Sequence, residues 1–220
     1  MKFVRFLAIL VFSLFYLTPT QANQYGIKDA EKFRADIEQA REVYLKTTGE
    51  NINKRDVRKA IKHMDKLSRK YKKHPLVMIY KGCSLAQRGR DIGARPLDRM
   101  RETEEGLKHV DRGLKIMARK KTDYVAKAEG HLLAAFLFVH LPDSVFHRLK
   151  EGNHLINGLL DHDRFEEFPK KMKGAIYHAA ATSAEKHGKP EKQKHYLQLS
   201  LKVSPDSEEA KEIKKKLKKL

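Results

Sequence analysis

The stretch GAIYHAAATSAEKHGKPEKQKHYLQLSLKVSP, residues 174–205, decides the fold. Small and apolar residues recur in it at every third or fourth position from Tyr177 to Ala184, which is the period of an α-helix. Gly188 interrupts the pattern, and a second stripe of the same period, which includes Leu197, follows it. The stretch therefore predicts two helices joined by a short turn, which pack as an antiparallel hairpin.

Helical periodicity extends outward from this hairpin over nearly all of the chain after residue 27. The segment from Leu132 to Val139 is apolar almost all round, which predicts the most buried helix. Outside the hairpin, the predicted helices cover about residues 28–47, 54–74, 76–87, 96–119, 123–140, 144–160 and 206–220. Short connections make neighbouring helices antiparallel, and a hairpin can bury its apolar face only by stacking on another hairpin. We therefore predict an all-α fold, an α-solenoid of stacked antiparallel helix hairpins.

Residues 174–205 resemble one tetratricopeptide repeat, a helical hairpin of about 34 residues. The resemblance is carried by a bulky residue, by small residues that permit close helix packing, by the turn and by a closing proline: Tyr177, Ala180, Ala181, Ala184, Gly188, Leu197, Ser200 and Pro205. Gln193 departs from the family pattern, which prefers a small alanine there. The resemblance implies a right-handed superhelix with a concave face that binds peptides or proteins, and it implies no catalytic activity.

A looser repeat-like unit begins at Pro75. Gly82 takes the small position of its first helix, and Gly106, Val110 and Gly113 take the corresponding positions of its second helix. About a dozen additional residues separate these two halves, so we expect an expanded internal loop at about residues 89–103.

The N-terminus has the pattern of an export signal. Two basic residues precede an apolar run over residues 6–17, and Thr20 and Ala22 are placed as the small residues of a cleavage site. We expect cleavage after Ala22, which leaves residues 23–220 as one tetratricopeptide-like helical domain in the periplasm or outside the cell. The alternative is an uncleaved N-terminal anchor, although the apolar run is shorter than the about 20 residues of a membrane span.

The chain is strongly basic, with a formal net charge of +19 at pH 7. Removal of residues 1–22 deletes Lys2 and Arg5 and no acid, so the net charge of the mature chain falls by two, to +17. In a cytosolic protein this charge would indicate nucleic acid as the partner, but export argues against that. The remaining anionic partners are lipid headgroups, cell-wall polymers and acidic proteins, and the alternative is that the charge serves solubility alone.

Little in the sequence indicates catalysis or a cofactor. Cys83 is the single cysteine, and its apolar context predicts a buried small residue, with an intermolecular disulfide as the alternative. His147, Glu151 and His154 have a spacing that can hold a metal on one helix face, with an exposed polar face as the alternative. The sequence has neither a glycine-rich phosphate loop nor a nucleophile-elbow motif. We therefore expect no enzymatic activity, no cofactor and no bound metal.

Candidate partner-binding residues concentrate in the predicted loop. Guanidinium groups suit carboxylates and phosphates, and five arginines crowd into this region: Arg88, Arg90, Arg95, Arg99 and Arg101. The alternative is an internal network with the neighbouring acids, which are Asp91, Asp98, Glu102, Glu104 and Glu105. Polar residues on otherwise apolar first helices are further candidates to face the groove: Lys81, Gln87, Lys127, His131 and His178.

The last predicted helix, at about residues 206–220, combines a narrow apolar stripe with many lysines. Ala210, Ile213, Leu217 and Leu220 form the stripe, and six lysines fill most of the other positions. A solenoid needs such a terminal helix to cover the packing face of its last repeat, so we expect a cap. Binding to an anionic surface is a second role that the lysines permit.

These features together predict an exported, non-catalytic adaptor or scaffold that binds a protein or peptide partner through a tetratricopeptide-like groove, without nucleic acid. The alternative is a cell-envelope-associated structural protein that attaches to anionic lipid or cell wall through its basic surface.

Overall fold

A computed structural model describes residues 25–48, 53–90, 94–119, 122–207 and 210–220 of the protein. Every regular element in these ranges is helical and none is a strand, so the all-α prediction is confirmed. The helices are α1 (Ala30–Leu45), α2 (Lys54–Lys70), α3 (Pro75–Ala86), α4 (Pro96–Arg119), α5 (Tyr124–His140), α6 (Asp143–Phe146), α7 (Leu149–Leu160), α8 (Lys170–Lys186), α9 (Pro190–Val203) and α10 (Ala210–Leu217). The predicted export signal, residues 1–22, lies outside the described residues.

The chain forms two compact units, and the division between them falls after Gly130, inside α5. None of the helices within the described ranges combines the length and the apolar character that a membrane-spanning helix requires.

Helices of the first unit begin at polar caps and at prolines. The carboxylate of Asp29 accepts a hydrogen bond of 2.9 Å from the backbone N–H of Lys32 at the start of α1. Asn53 caps α2 in the same way. Pro75 and Pro96 are the first residues of α3 and α4, where the missing N–H costs nothing because the first turn of a helix leaves it unpaired in any case.

The closest helix packing in the first unit is between α3 and α4. A Cβ added to Gly82 would lie 2.5 Å from the carbonyl oxygen of Gly106, and a Cβ on Gly106 would meet the carbonyl oxygen of Gly82 at the same distance. Only glycine lets the two backbones approach this closely. The core around this crossing is formed by buried side chains from α1 to α4, which include Phe33, Ile37, Met64, Leu76, Ile79, Val110 and Met117.

The hairpin predicted for residues 174–205 is present in the second unit as α8 and α9. Gly188 has a φ of +63° in the connecting turn, a left-handed conformation that glycine adopts without strain. The hydroxyl of Ser200 donates a hydrogen bond of 2.9 Å to the carbonyl of Gly174. Because the start of α8 therefore lies beside the end of α9, the two helices are antiparallel.

Helix α10 packs on this hairpin through its apolar stripe. Ala210 and Ile213 are buried, and Ile213 lies in a cluster with Ala181 and Leu197. Leu217 is half-buried against the same cluster. The helix is shorter than the predicted 206–220, since it begins at Ala210 and ends at Leu217.

The continuous helix predicted for residues 144–160 is wrong, because the chain breaks between α6 and α7. His147 has a φ of +52°, and the carboxylate of Asp143 accepts a hydrogen bond of 2.9 Å from the backbone N–H of Leu149. This bond caps α7 at its new start. His147 therefore does not lie on the helix that carries Glu151 and His154, and the predicted common face does not form.

Candidate functional site

The Arg-rich segment, residues 88–101, connects α3 to α4 in the first unit. Helix α3 runs into a 3-10 turn at Gln87–Arg90, and α4 already begins at Pro96, so the loop predicted for residues 89–103 is too long. The turn lies directly against α4, because a Cβ on Gly89 would be 1.9 Å from the hydroxyl oxygen of Thr103. The additional residues of the predicted loop therefore extend a long helix.

Three arginines of this segment are held by partners within the chain. Arg88 donates to both carboxylate oxygens of Glu102, each at 3.1 Å. The guanidinium of Arg99 donates to the carbonyl of Gly89 at 2.8 Å, which ties the start of α4 to the 3-10 turn. Arg90 donates to the side chain of Gln87 at 2.8 Å, and burial lowers the pKa of Arg90. Of these contacts, only the pair of Arg88 with Glu102 belongs to the network of arginines and acids that the sequence left open as an alternative.

The other two arginines share a single carboxylate at the surface. Arg95 donates to Asp98 at 2.7 Å, and Arg101 donates to its second oxygen at 3.3 Å. The hydrogen bond from Arg95 lowers the pKa of Asp98, so this carboxylate is ionised at neutral pH. The side chains of Arg95 and Arg101 are 85% and 75% exposed. Two guanidinium groups against one carboxylate leave a net positive charge on this surface.

Two apolar side chains lie beside these arginines. Leu97 is 76% exposed and Met100 is 38% exposed. The two side chains lie on one face of α4, because residues three or four positions apart are neighbours on a helix. We call Arg95, Leu97, Met100 and Arg101 the α4 patch. A clustered pair of exposed apolar side chains with cationic neighbours is a surface that an apolar and acidic partner would cover.

The other residues predicted to face a groove are dispersed. Lys81 forms an ion pair of 2.9 Å with Asp65 in the first unit. Lys127 and His131 are half-buried on α5. Gln87 and His178 are buried, which is a correction, because a groove residue must expose its side chain. Burial lowers the pKa of His178 to about 4, so its ring is neutral in the fold.

A buried ionic cluster in the first unit was missed from the sequence. Arg41 on α1 donates two parallel hydrogen bonds of 3.0 Å to the carboxylate of Glu129 on α5, and the hydroxyl of Tyr80 on α3 donates to the same carboxylate. Burial alone would lower the pKa of Arg41, but the carboxylate beside it raises that pKa above its usual value. Burial, together with the same carboxylate, raises the pKa of Tyr80.

The signal for this cluster was present in the helical period. Arg41 lies four residues after Ile37 and three before Tyr44, on the apolar face of α1. Glu129 likewise lies four residues after Val125 and three before Leu132, on the apolar face of α5. A charged residue at a core position of each of two helices indicates a buried pair.

Neither a metal site nor a reactive thiol is evident in the described part of the chain. No three histidine, cysteine or carboxylate side chains there converge as metal ligands would. Cys83 is fully buried, and burial raises the pKa of its thiol to about 12, so the reactive thiolate is not populated at neutral pH.

No protein-family model, curated protein or solved structure matches this chain.

Proposed function

We propose that the protein is an exported, non-catalytic adaptor built from tetratricopeptide-like hairpins, and that it binds an acidic protein or peptide partner. The observation that carries the proposal is the α4 patch, where Leu97 and Met100 are exposed between two solvent-facing arginines. Isolated exposed apolar side chains are ordinary, but a pair on one helix face with charged neighbours is typical of an interaction surface.

The repeat-like part of the proposal is supported by the hairpin of α8 and α9. Its left-handed Gly188, its close contact at Gly174 and the small Ala181 in its core are features that a tetratricopeptide hairpin uses for the same purposes. Such hairpins act by holding other proteins.

The composition of the α4 patch indicates a partner with both apolar and acidic groups. The internal bonds of Arg88 and Arg99 fix the backbone on which the patch stands, so its side chains are presented on a rigid helix start. Rigid presentation reduces the entropy that is lost on binding. Apolar contacts then supply affinity, while Arg95 and Arg101 supply attraction to carboxylates.

The test uses the full chain as bait in extract from the producing cell, at low and at high salt. A specific protein should be retained at high salt by the parent and lost by the double variant Leu97→Ser and Met100→Ser, because apolar contacts are not screened by salt. Replacing Arg95 and Arg101 with Gln should weaken capture mainly at low salt.

Two control variants make the same kinds of substitution outside the α4 patch. Val145→Ser alters another side chain that is 50% exposed, and Arg112→Gln with Arg119→Gln removes two exposed charges from the same helix. Both controls should capture the partner as the parent does. Equal capture by the parent and by the patch variants would overturn the proposal, and so would uniform loss of every captured protein at high salt.

A further inference from the structure

A second charged surface lies on α10, in the second unit. Four lysines at relative spacings of three and four lie on α10 and in the turn directly after it, and all are exposed: Lys211, Lys214, Lys215 and Lys218. The buried side of the helix is formed by Ala210 and Ile213, which pack towards α8 and α9. The four lysines, which we call the lysine face, therefore point away from the body of the unit.

The lysine face carries more charge than Glu212, the acidic residue of α10, can balance. Lys216, which points to another side of α10, forms an ion pair of 2.9 Å with Glu185. No described carboxylate forms an ion pair with any of the four lysines of the face. Many other basic residues, such as Lys81 with Asp65 and Arg88 with Glu102, do have such partners. Four lysines against the single carboxylate of Glu212 leave a net positive charge on α10 whose attraction is available to an external anion.

We infer that the lysine face binds the surface of an anionic phospholipid membrane. Clusters of four or more basic residues on one side of a helix are drawn to anionic bilayers, each lysine strengthening the attraction. Lysine suits this partner because its ammonium is a flexible point charge, whereas arginine suits the fixed, bidentate geometry of a single phosphate or carboxylate. Leu220 is 49% exposed two residues beyond Lys218 and supplies an apolar group for the bilayer interface.

This inference is independent of the adaptor proposal, since it concerns a different surface. It explains why α10 carries more lysines than a cap requires. Burial of Ala210 and Ile213 is sufficient to cover the end of the hairpin, and exposed positions of any polar type would satisfy that role.

The experiment measures sedimentation of the full chain with vesicles of phosphatidylcholine that contain about 30% phosphatidylglycerol, at low salt. The parent should bind these vesicles and not vesicles of phosphatidylcholine alone, and it should dissociate at about 0.5 M salt. Replacing Lys211, Lys214, Lys215 and Lys218 with Gln should lower the partition coefficient about fivefold per lysine, which is roughly 600-fold in total. Because these side chains are exposed and form no ion pair with a described carboxylate, the melting temperature should not change.

The matched control removes the same charge from another exposed part of the second unit. Replacing Lys186, Lys189, Lys192 and Lys194 with Gln should lower partition by less than about tenfold, since those lysines lie on α8, on α9 and in the turn between them and not on α10. An equal loss in both variants would overturn the inference, because binding would then follow net charge and not the lysine face. It would also be overturned if the parent failed to sediment with the anionic vesicles, including the case in which it bound a soluble polyanion such as heparin instead.

Discussion

Replacement of Glu129 by Gln should strongly destabilise the first unit. The carboxylate of Glu129 is fully buried, receives two hydrogen bonds of 3.0 Å from Arg41, and also accepts from Tyr80. Gln keeps the shape of the side chain but removes the buried counter-charge of Arg41, whose other carboxylate, that of Glu38, lies 3.9 Å away and is 43% exposed. Removal of one partner from a buried ion pair costs about 3–5 kcal/mol.

The expected shift in melting temperature follows from that free energy. For a chain of this size, 1 kcal/mol corresponds to about 2–4 °C, so Glu129→Gln should lower the transition by about 6–20 °C. The assay is thermal unfolding followed by circular dichroism, at a pH near 7.

A double-mutant cycle separates the ion pair from general disturbance of the core. Arg41→Met should be destabilising for the converse reason, since it leaves the Glu129 carboxylate unpaired. The cycle is completed by the single variant Glu129→Met and by the double variant Arg41→Met and Glu129→Met. The double variant should recover most of the loss, because apolar residues of similar volume need no charge partner. A shift below about 2 °C in Glu129→Gln, or a double variant as unstable as the sum of the single variants, would refute the reasoning.

Three further predictions concern packing and burial. His74 is buried between the rings of Tyr25 and Phe33, and burial lowers its pKa to about 3. Because the unfolded state, with a pKa near 6.5, takes up the proton first, stability falls as the pH drops below about 6.5. Between pH 7 and pH 5, denaturant titration should show that His74→Phe loses about 2 kcal/mol less stability than the parent does, while the contribution of His178 remains in both. Gly82→Ala should lower the melting temperature, since its Cβ would meet backbone at 2.5 Å, whereas Gly158→Ala, with nothing within 4 Å, should raise it slightly. Ala181→Leu should cost about 1–3 kcal/mol by overpacking the cluster beneath α10, and an unchanged melting curve would contradict that contact.

The starts of several helices could be predicted from the sequence because local chemistry determines them. Pro75, Pro96 and Pro190 each open a helix in the structure, as the fixed φ of proline and its missing N–H favour. Gly188 was also identified as a turn, since the left-handed conformation it adopts is open to glycine. These signals act within a few residues of the chain and need no knowledge of the fold.

The break at His147 could not be predicted in the same way. Helical periodicity continues through it, and Asp143 and Ser144 read as ordinary caps for a single helix. In the structure, the Asp143 carboxylate accepts a hydrogen bond from the backbone N–H of Leu149, six residues further along the chain. The guanidinium of Arg148 lies 4.1 Å from the centre of the Phe138 ring. Contacts with residues from another helix therefore outweigh the local preference for one continuous helix, and the spacing of residues in the sequence does not reveal such contacts.

The Arg-rich segment shows a different limit of sequence reasoning. The expectation of an expanded loop came from the length of a tetratricopeptide repeat, and the extra residues instead form the first turns of α4. The contact of Gly89 with Thr103 and the bond from Arg99 to Gly89 hold that extension against the 3-10 turn. The consensus of a repeat family predicts the length of the helices in that repeat, but it does not predict whether inserted residues lengthen one of those helices.

The two basic surfaces show why charge in a sequence does not by itself identify a binding site. The Arg-rich segment carries five arginines, but Arg88, Arg90 and Arg99 are engaged with groups of the same chain, so they stabilise a turn and attract a partner only weakly. On α10 the reverse holds, since the exposed lysines have no described carboxylate as a partner. An external anion gains most from charges whose field is not already cancelled, because a paired cation must give up its own partner or share it. The two surfaces therefore differ in the number of cations without a described partner and in the apolar side chains beside those cations. The α4 patch suits a partner that has apolar groups. The lysine face suits a broad anionic surface.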